Sequence, residues 1–238
     1  MNIFEKNKLN IDRRISLGVD LLKKNYELNE IELREFKNIH IQNMDYTITQ
    51  YEIKGVGNLL IMACRDCETL QMDSFVITPY YKNLPLFSTD YIYTGEKRSF
   101  LNEIYNLVDK KDELYNTYIN EFSKVKSKYD YFKDMTTKSA WYDNIRPVCI
   151  AKNTGVEDDE EIINIFINNL KIFIQMEKET PMLNEEEYKI KWKKTQDYAN
   201  RLVDDGGAAT NLFKAVLGAD KTKEFFNSVF FAPSIYSK

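Results

Sequence analysis

The sequence predicts an α+β domain in which helices stack on an antiparallel sheet. From about residue 39 to 108 the chain is a succession of short β-rich runs separated by turn residues, with no helical run between them. Strands that follow one another in this way pair antiparallel. After residue 110 the apolar positions recur at helical spacing instead. Hydrophobic residues make up 43% of the chain and aromatics 13%, the composition of a packed globule. The 238 residues contain no linker, repeat or low-complexity segment, so residues 1–238 are expected to form a single domain.

The elements follow in order. In "IDRRISLGVDLLKKN" (11–25), Ile11, Ile15, Val19 and Leu22 share one helical face, although Gly18 weakens the helix from within. The strand runs are "IHIQ", "YTITQYEI", "NLLIMACR", "TLQMDSFVIT", "DYIYTG" and "FLNEIYNLV", with "IKGVGN" and "TGEKR" among the turns. A helix over 110–132 follows, and then one further extended segment in "AWYDNIRPVCIAKN" (140–153). The helix over 158–180 opens with acids that complement its dipole, is apolar over a wide arc and stops at Pro181. Two more helical stretches, 184–205 and 208–231, complete the chain, the second broken near Gly218.

Charge and composition exclude several functions. A net charge of −4 and a pI ≈ 5.3 argue against a duplex-binding stripe, so no nucleic-acid partner is expected. No window approaches the ~20 apolar residues of a membrane helix, and the start lacks the apolar core of a signal peptide. A cytoplasmic protein with no membrane partner is expected. Its three cysteines, Cys64, Cys67 and Cys149, are too few and too odd for a disulfide framework and agree with a reducing compartment.

Most motifs have plain readings. "CRDC" (64–67) has metal or redox spacing but no second pair of ligands, and reads as two semi-buried thiols. The only histidine, His40, removes every mechanism that needs two. "DDGG" (204–207) reads as a helix stop and "DDEE" (158–161) as a solvated helix start. Lys189, Lys191, Lys193 and Lys194 around Trp192 read as an exposed helix face, with docking of an acidic partner as the functional alternative.

"TPYYKNLPLFSTDYIY" (78–93) is different, because it sets Asp90 among aromatics and isoleucine in a strand. A carboxylate in such company is costly unless it is used. Strand alternation puts Asp90 on the same face as Ile92 and Thr94. If that face is an apolar pocket, burial raises the pKa and makes the carboxyl a proton donor near neutrality. A hairpin turn centred near Tyr81 and Lys82 would place Asp73 opposite Asp90, and two such carboxyls do not both ionise readily.

The same stretch resembles the pattern of ferredoxin-dependent bilin reductases, in which a proline-containing hairpin leads into Leu-Pro-x-Phe-x-x-Asp. Here those positions are Leu84, Pro85, Phe87 and Asp90. Trp141, "RPVCIAK" (146–152) and "LFKAVLGADKTKEFFNSVFF" (212–231) are similar to further family segments, so the resemblance spans roughly 40–231.

The resemblance implies a three-layer α/β/α sandwich with a central antiparallel sheet, and an open-chain tetrapyrrole such as biliverdin held between the sheet and the C-terminal helices. It implies no bound cofactor or metal, single electrons from a reduced ferredoxin, and a protein that donates protons. On that basis Asp90, Asp73 and Asp205 are the candidate catalytic residues, and Phe87, Trp141, Arg146 and Lys152 the candidate substrate-binding residues. The two basic groups are the candidates for holding the substrate's propionates. The chain also departs from the family. Asp73 stands where phycocyanobilin-forming members carry a histidine, and Ile61 replaces an acid, which points to a two-electron reduction. Gly207 occupies the place of an acid that opens the last helix. Either a short slip restores that acid through Asp205, with Asp204 beside it, or the second proton step is lost. The alternative is a non-catalytic bilin- or haem-binding protein on the same fold.

Overall fold

The computed structural model describes residues 1–207 and 210–237. Helix α1 (Ile3–Lys23) is capped by the side chain of Asn2, which accepts from the Glu5 amide, and it starts a full two turns before the amphipathic run. Gly18 belongs in it for a packing reason. A Cβ there would stand 2.7 Å from the Phe166 ring, so only glycine lets the helix lie this close to its neighbour.

The strands β1 (Leu28–Ile31), β2 (Asn38–Ile41), β3 (Met44–Ile53), β4 (Gly57–Cys64), β5 (Gln71–Pro79), β6 (Leu86–Thr94) and β7 (Lys97–Tyr105) come next. Helix α2 (Glu113–Lys128), a two-residue strand β8 (Lys133–Asp134) and β9 (Val148–Gly155) follow. The chain then runs through α3 (Asp159–Glu179), α4 (Glu185–Asp204), α5 (Thr210–Leu217) and α6 (Ala219–Phe225), and closes with a π-helical turn, Phe226–Phe230. Sequence patterning missed β1 and β8, which are short and mostly exposed. It placed the start of the last helical stretch at 208, and its first two residues lie outside the described residues. The break at Gly218 is real, with φ at 81°.

One sheet, ordered β1-β3-β4-β5-β6-β7-β9-β8 with β2 also pairing β3, is antiparallel throughout. Helices α1, α2 and α3 bury one face of it, where Phe75, Phe87, Tyr91 and Phe100 meet Ile11, Phe122, Phe166 and Phe173. Helices α4 to α6 and the π turn cover part of the other face, where Tyr46, Leu60, Val76 and Tyr105 meet Tyr198, Phe213, Phe225 and Val229. Three layers result, as expected for a chain whose strands precede most of its helices. Inward amides fasten the last layer: Asn58 donates to the carbonyls of Val229 and Phe230, and Gln50 to that of Ser228.

The hairpin register corrects one expectation. Ser74, not Asp73, is the partner of Asp90, and Asp73 pairs with Tyr91. The connection is no tight turn at 81–82. It spans residues 80 to 85, where Tyr80 is stacked on Tyr236 at 4.3 Å and Lys82 is tied to Glu177. A register displaced by one residue sends a side chain to the opposite face of the sheet.

Candidate functional site

The face under α4 to α6 is covered unevenly. Toward β3 and β4 it is closed, but Met72, Ser88, Asp90, Ile92, Leu101 and Cys149 on β5, β6, β7 and β9 remain half-buried. Strand alternation puts all six on this face, so they form an open strip beside the helical layer. Tyr46 and Phe213, 6.5 Å apart, stand on one side of the strip, and Trp141 and Tyr142 on the other.

Asp90 is the central polar group of the strip. The Ser74 hydroxyl donates to its Oδ1 from the neighbouring strand. Burial raises the Asp90 pKa, and the Ser74 bond and the distant charge of Arg14 only partly oppose this. Two residues along the same face, Ser88 stands directly opposite Glu103 of β7. Glu103 is buried, its pKa is raised by burial and by the Asp90 charge, and Arg146 works against that rise. Arg146 binds Glu103 and also reaches Asp143 at 2.6 Å, while the Cys149 sulfur lies 3.8 Å from Glu103 Oε1. Burial pushes the Cys149 thiol up to about 11, so it stays protonated.

The sequence reading missed Glu103. Its signal lay in "TGEK", where Gly95 takes φ 59° in a two-residue turn that pairs Thr94 with Lys97 and so sets Asp90 against Leu101. Glu103 is then the diagonal neighbour of Asp90 on one face.

Four expected site residues lie elsewhere. Asp73 is on the opposite face, paired with Arg14, both side chains at 0% exposure, with the guanidinium 3.5 Å over the Tyr91 ring. It is therefore not a partner of Asp90. Phe87 packs into the core against Phe173 at 5.7 Å. Lys152 alternates onto the α1–α3 face with Phe100 and binds Asp134 at 2.7 Å. Asp205 sits at the exposed end of α4, held by Arg201 at 2.6 Å, and Asp204 faces Lys223 at 3.4 Å. The glycines after them do not bend either acid inward. A helix end of mixed charge satisfies its acids on the surface, where pairing needs no desolvation.

Arg146 and Trp141 are on the expected side. The Trp141 indole donates to the Gly206 carbonyl at 2.8 Å, and Arg201 stacks over its ring at 4.2 Å. Arg146 is already matched by Glu103 and Asp143, so it is no free clamp. The lysine patch is also smaller than expected. Lys191 has 0% exposure and donates to the Leu84 and Leu107 carbonyls at 2.7 and 2.6 Å. Lys189 and Lys193 pair with acids of their own helix, and Lys194 donates to the Val108 carbonyl.

Concavities of 660 Å³ along the outer face of α2 and 370 Å³ at the start of α4 lie away from the strip. The first is a groove on a single helix that gathers no buried titratable group. Among the described residues no three His, Cys, Asp or Glu side chains come together in a way that could hold a metal ion.

No protein-family model matches the chain, and no curated protein matches it by sequence. Among solved structures it is similar to phytochromobilin synthase from tomato, crystallised in complex with biliverdin. The TM-score is 0.78 over 93% of this chain and 83% of that one, at 11% sequence identity. That likeness shows the fold. No helix of the chain is long and apolar enough to cross a membrane, among the described residues.

Proposed function

We propose that the protein reduces an open-chain tetrapyrrole, biliverdin IXα or a close relative, by two electrons taken singly from a reduced ferredoxin in a reducing cytoplasm. The observation that carries this reading is Asp90: a carboxyl with a raised pKa in a half-buried strip, on a fold similar to that of a biliverdin complex. A flat apolar substrate lying against Met72, Ile92 and Leu101 would bring its conjugated system over this carboxyl. Asp90 then donates a proton to the radical made by each electron's arrival. Each electron adds one negative charge to the substrate and each proton removes it, so two of each convert one double bond to a single bond.

The second reading, a non-catalytic bilin- or haem-binding protein, is favoured by the outward pairing of Asp204 and Asp205, which turns both of these acids away from the strip. One experiment separates the two. Biliverdin is added to the protein, and reduced ferredoxin afterwards, while the absorption spectrum is followed. A band that appears on binding and moves on reduction supports the enzyme. A band that appears and stays supports the binding protein, and no band removes both.

A further inference from the structure

The charges around the strip do not balance in pairs. Arg14 is matched by Asp73 behind the sheet, and Arg146 by both Glu103 and Asp143. Asp90 has only a serine hydroxyl. The groups facing Asp90 are Ser74 on β5, Tyr46 on β3 and, through the sheet, Arg14 of α1. Those facing Glu103 are Arg146, Cys149, Tyr105 and, from α4, Tyr198. Burial holds the tyrosines and the thiol in their neutral forms. Two carboxyls thus stand on one face, Glu103 buried and Asp90 half-buried, and only Glu103 has a cation paired with it. As diagonal neighbours on adjacent strands they are about 7–8 Å apart at the backbone, and Ser88 neighbours both on the same face, two residues along β6 from Asp90 and directly opposite Glu103.

We propose that Asp90 and Glu103 share one transferable proton, with Glu103 returning a proton to Asp90 from the same face of the sheet. Glu103 is a positioning residue in this scheme, because it acts through Asp90. The inference deepens the reductase reading and rests on it only for the use made of the proton. In a two-electron reduction Asp90 loses the shared proton to the substrate after the first electron, which leaves both groups ionised, with the Glu103 carboxylate held by Arg146. Solvent then protonates Glu103, and Glu103 passes that proton to Asp90 before the second electron arrives. Both protons reach the substrate from one face, and no acid on the helical side is required.

The test has two arms. In the first, the full chain with 13C-labelled Asp and Glu carboxyls is titrated without substrate. Coupled groups move each other, so Glu103→Gln should lower the Asp90 midpoint by about one pH unit or more, and Asp90→Asn should lower that of Glu103 by a similar shift. The second variant strands no arginine, which keeps the arm decisive if Glu103→Gln folds poorly. If neither midpoint moves, the proposal is wrong. The second arm is single-turnover reduction of biliverdin by reduced ferredoxin. In Glu103→Gln the first radical should form at the wild-type rate and decay at least ~10-fold more slowly, with Glu103→Asp partly restoring decay. Wild-type decay in Glu103→Gln overturns the recharging role. If the unmodified protein reduces no bilin, the reductase reading fails, while the titration still decides whether the proton is shared.

Discussion

Ser74 and Asp90 face each other across β5 and β6, and the serine hydroxyl donates to the carboxyl. This bond favours the ionised acid, whereas burial favours the protonated one and prevails. Loss of the bond therefore sends the pKa further up. Ser74→Ala should extend activity to higher pH, because a donor is lost only as pH rises through its pKa. Asp90→Asn should bind bilin normally and turn over about 10²- to 10⁴-fold more slowly. Rate profiles from pH 5 to 9 with both variants check the pair, and a Ser74→Ala alkaline limb shifted downward would contradict the assignment.

The acids that end α4 should be dispensable. Asp204 and Asp205 face solvent beside Lys223 and Arg201, so neither delivers a proton to the strip. The double change Asp204→Asn with Asp205→Asn should leave the rates of single-turnover reduction within about twofold of wild type, since exposed pairs contribute little. A radical that accumulates in the double variant would return these acids to the mechanism.

Behind the strip, Arg14→Met should be strongly destabilising. It leaves Asp73 without a partner at a site with no solvent, which costs about 3–5 kcal/mol. Arg14→Met combined with Asp73→Leu should recover most of that loss, because neither charge then remains buried. Chemical denaturation of the three proteins gives the comparison. A double variant no better than the single one would mean that the pair also fixes the geometry of α1.

Much of this was legible in the sequence, and the exceptions have physical causes. The periodicities of β3 to β7 and of α3 and α4 identify those elements, because each buries a whole face or stripe. Asp90 was legible too, since an acid in an apolar strand requires a reason. Asp73 was misplaced because its pairing assumed a tight turn at residues 81–82, and Lys152 and Phe87 because they were assigned by motif position, whereas the face each occupies depends on register. Register in turn depends on the hairpin connection, and the connection of residues 80 to 85 is fixed by long-range partners, Tyr236 and Glu177. Local patterning does not contain those contacts. Glu103 escaped for the opposite reason: its register was readable from the short 94–97 turn, but its surroundings looked like any surface strand.

Lys191 gives a pH signature for stability. Burial first, and then the nearby charge of Lys194, lowers its pKa to about 7 from an ordinary value of 10.5. Between those values the unfolded chain holds the proton and the folded chain does not, so stability contributed by this group rises with pH across the window. Below pH 7 both states are protonated and the slope vanishes. Lys191→Met should flatten the rise between pH 7 and 10 in urea midpoints. An equally steep rise in the variant would show that the two carbonyls keep the ammonium charged.

The amides of Asn58 and Gln50 hold the carbonyls of Ser228, Val229 and Phe230, and Tyr80 binds that of Phe231. These donors are synthesised 151 to 178 residues before their acceptors. While the chain is emerging from the ribosome, the sheet and the α1–α3 layer can assemble first, leaving the other face with unmatched polar groups and bare aromatics. The strip around Asp90 acquires its helical border only when the last segment docks. A nascent or truncated chain ending at Phe225 would thus be a sheet with one finished side, sticky to chaperones and with an incomplete ligand site. Maturation of the protein and completion of its site are one event in time.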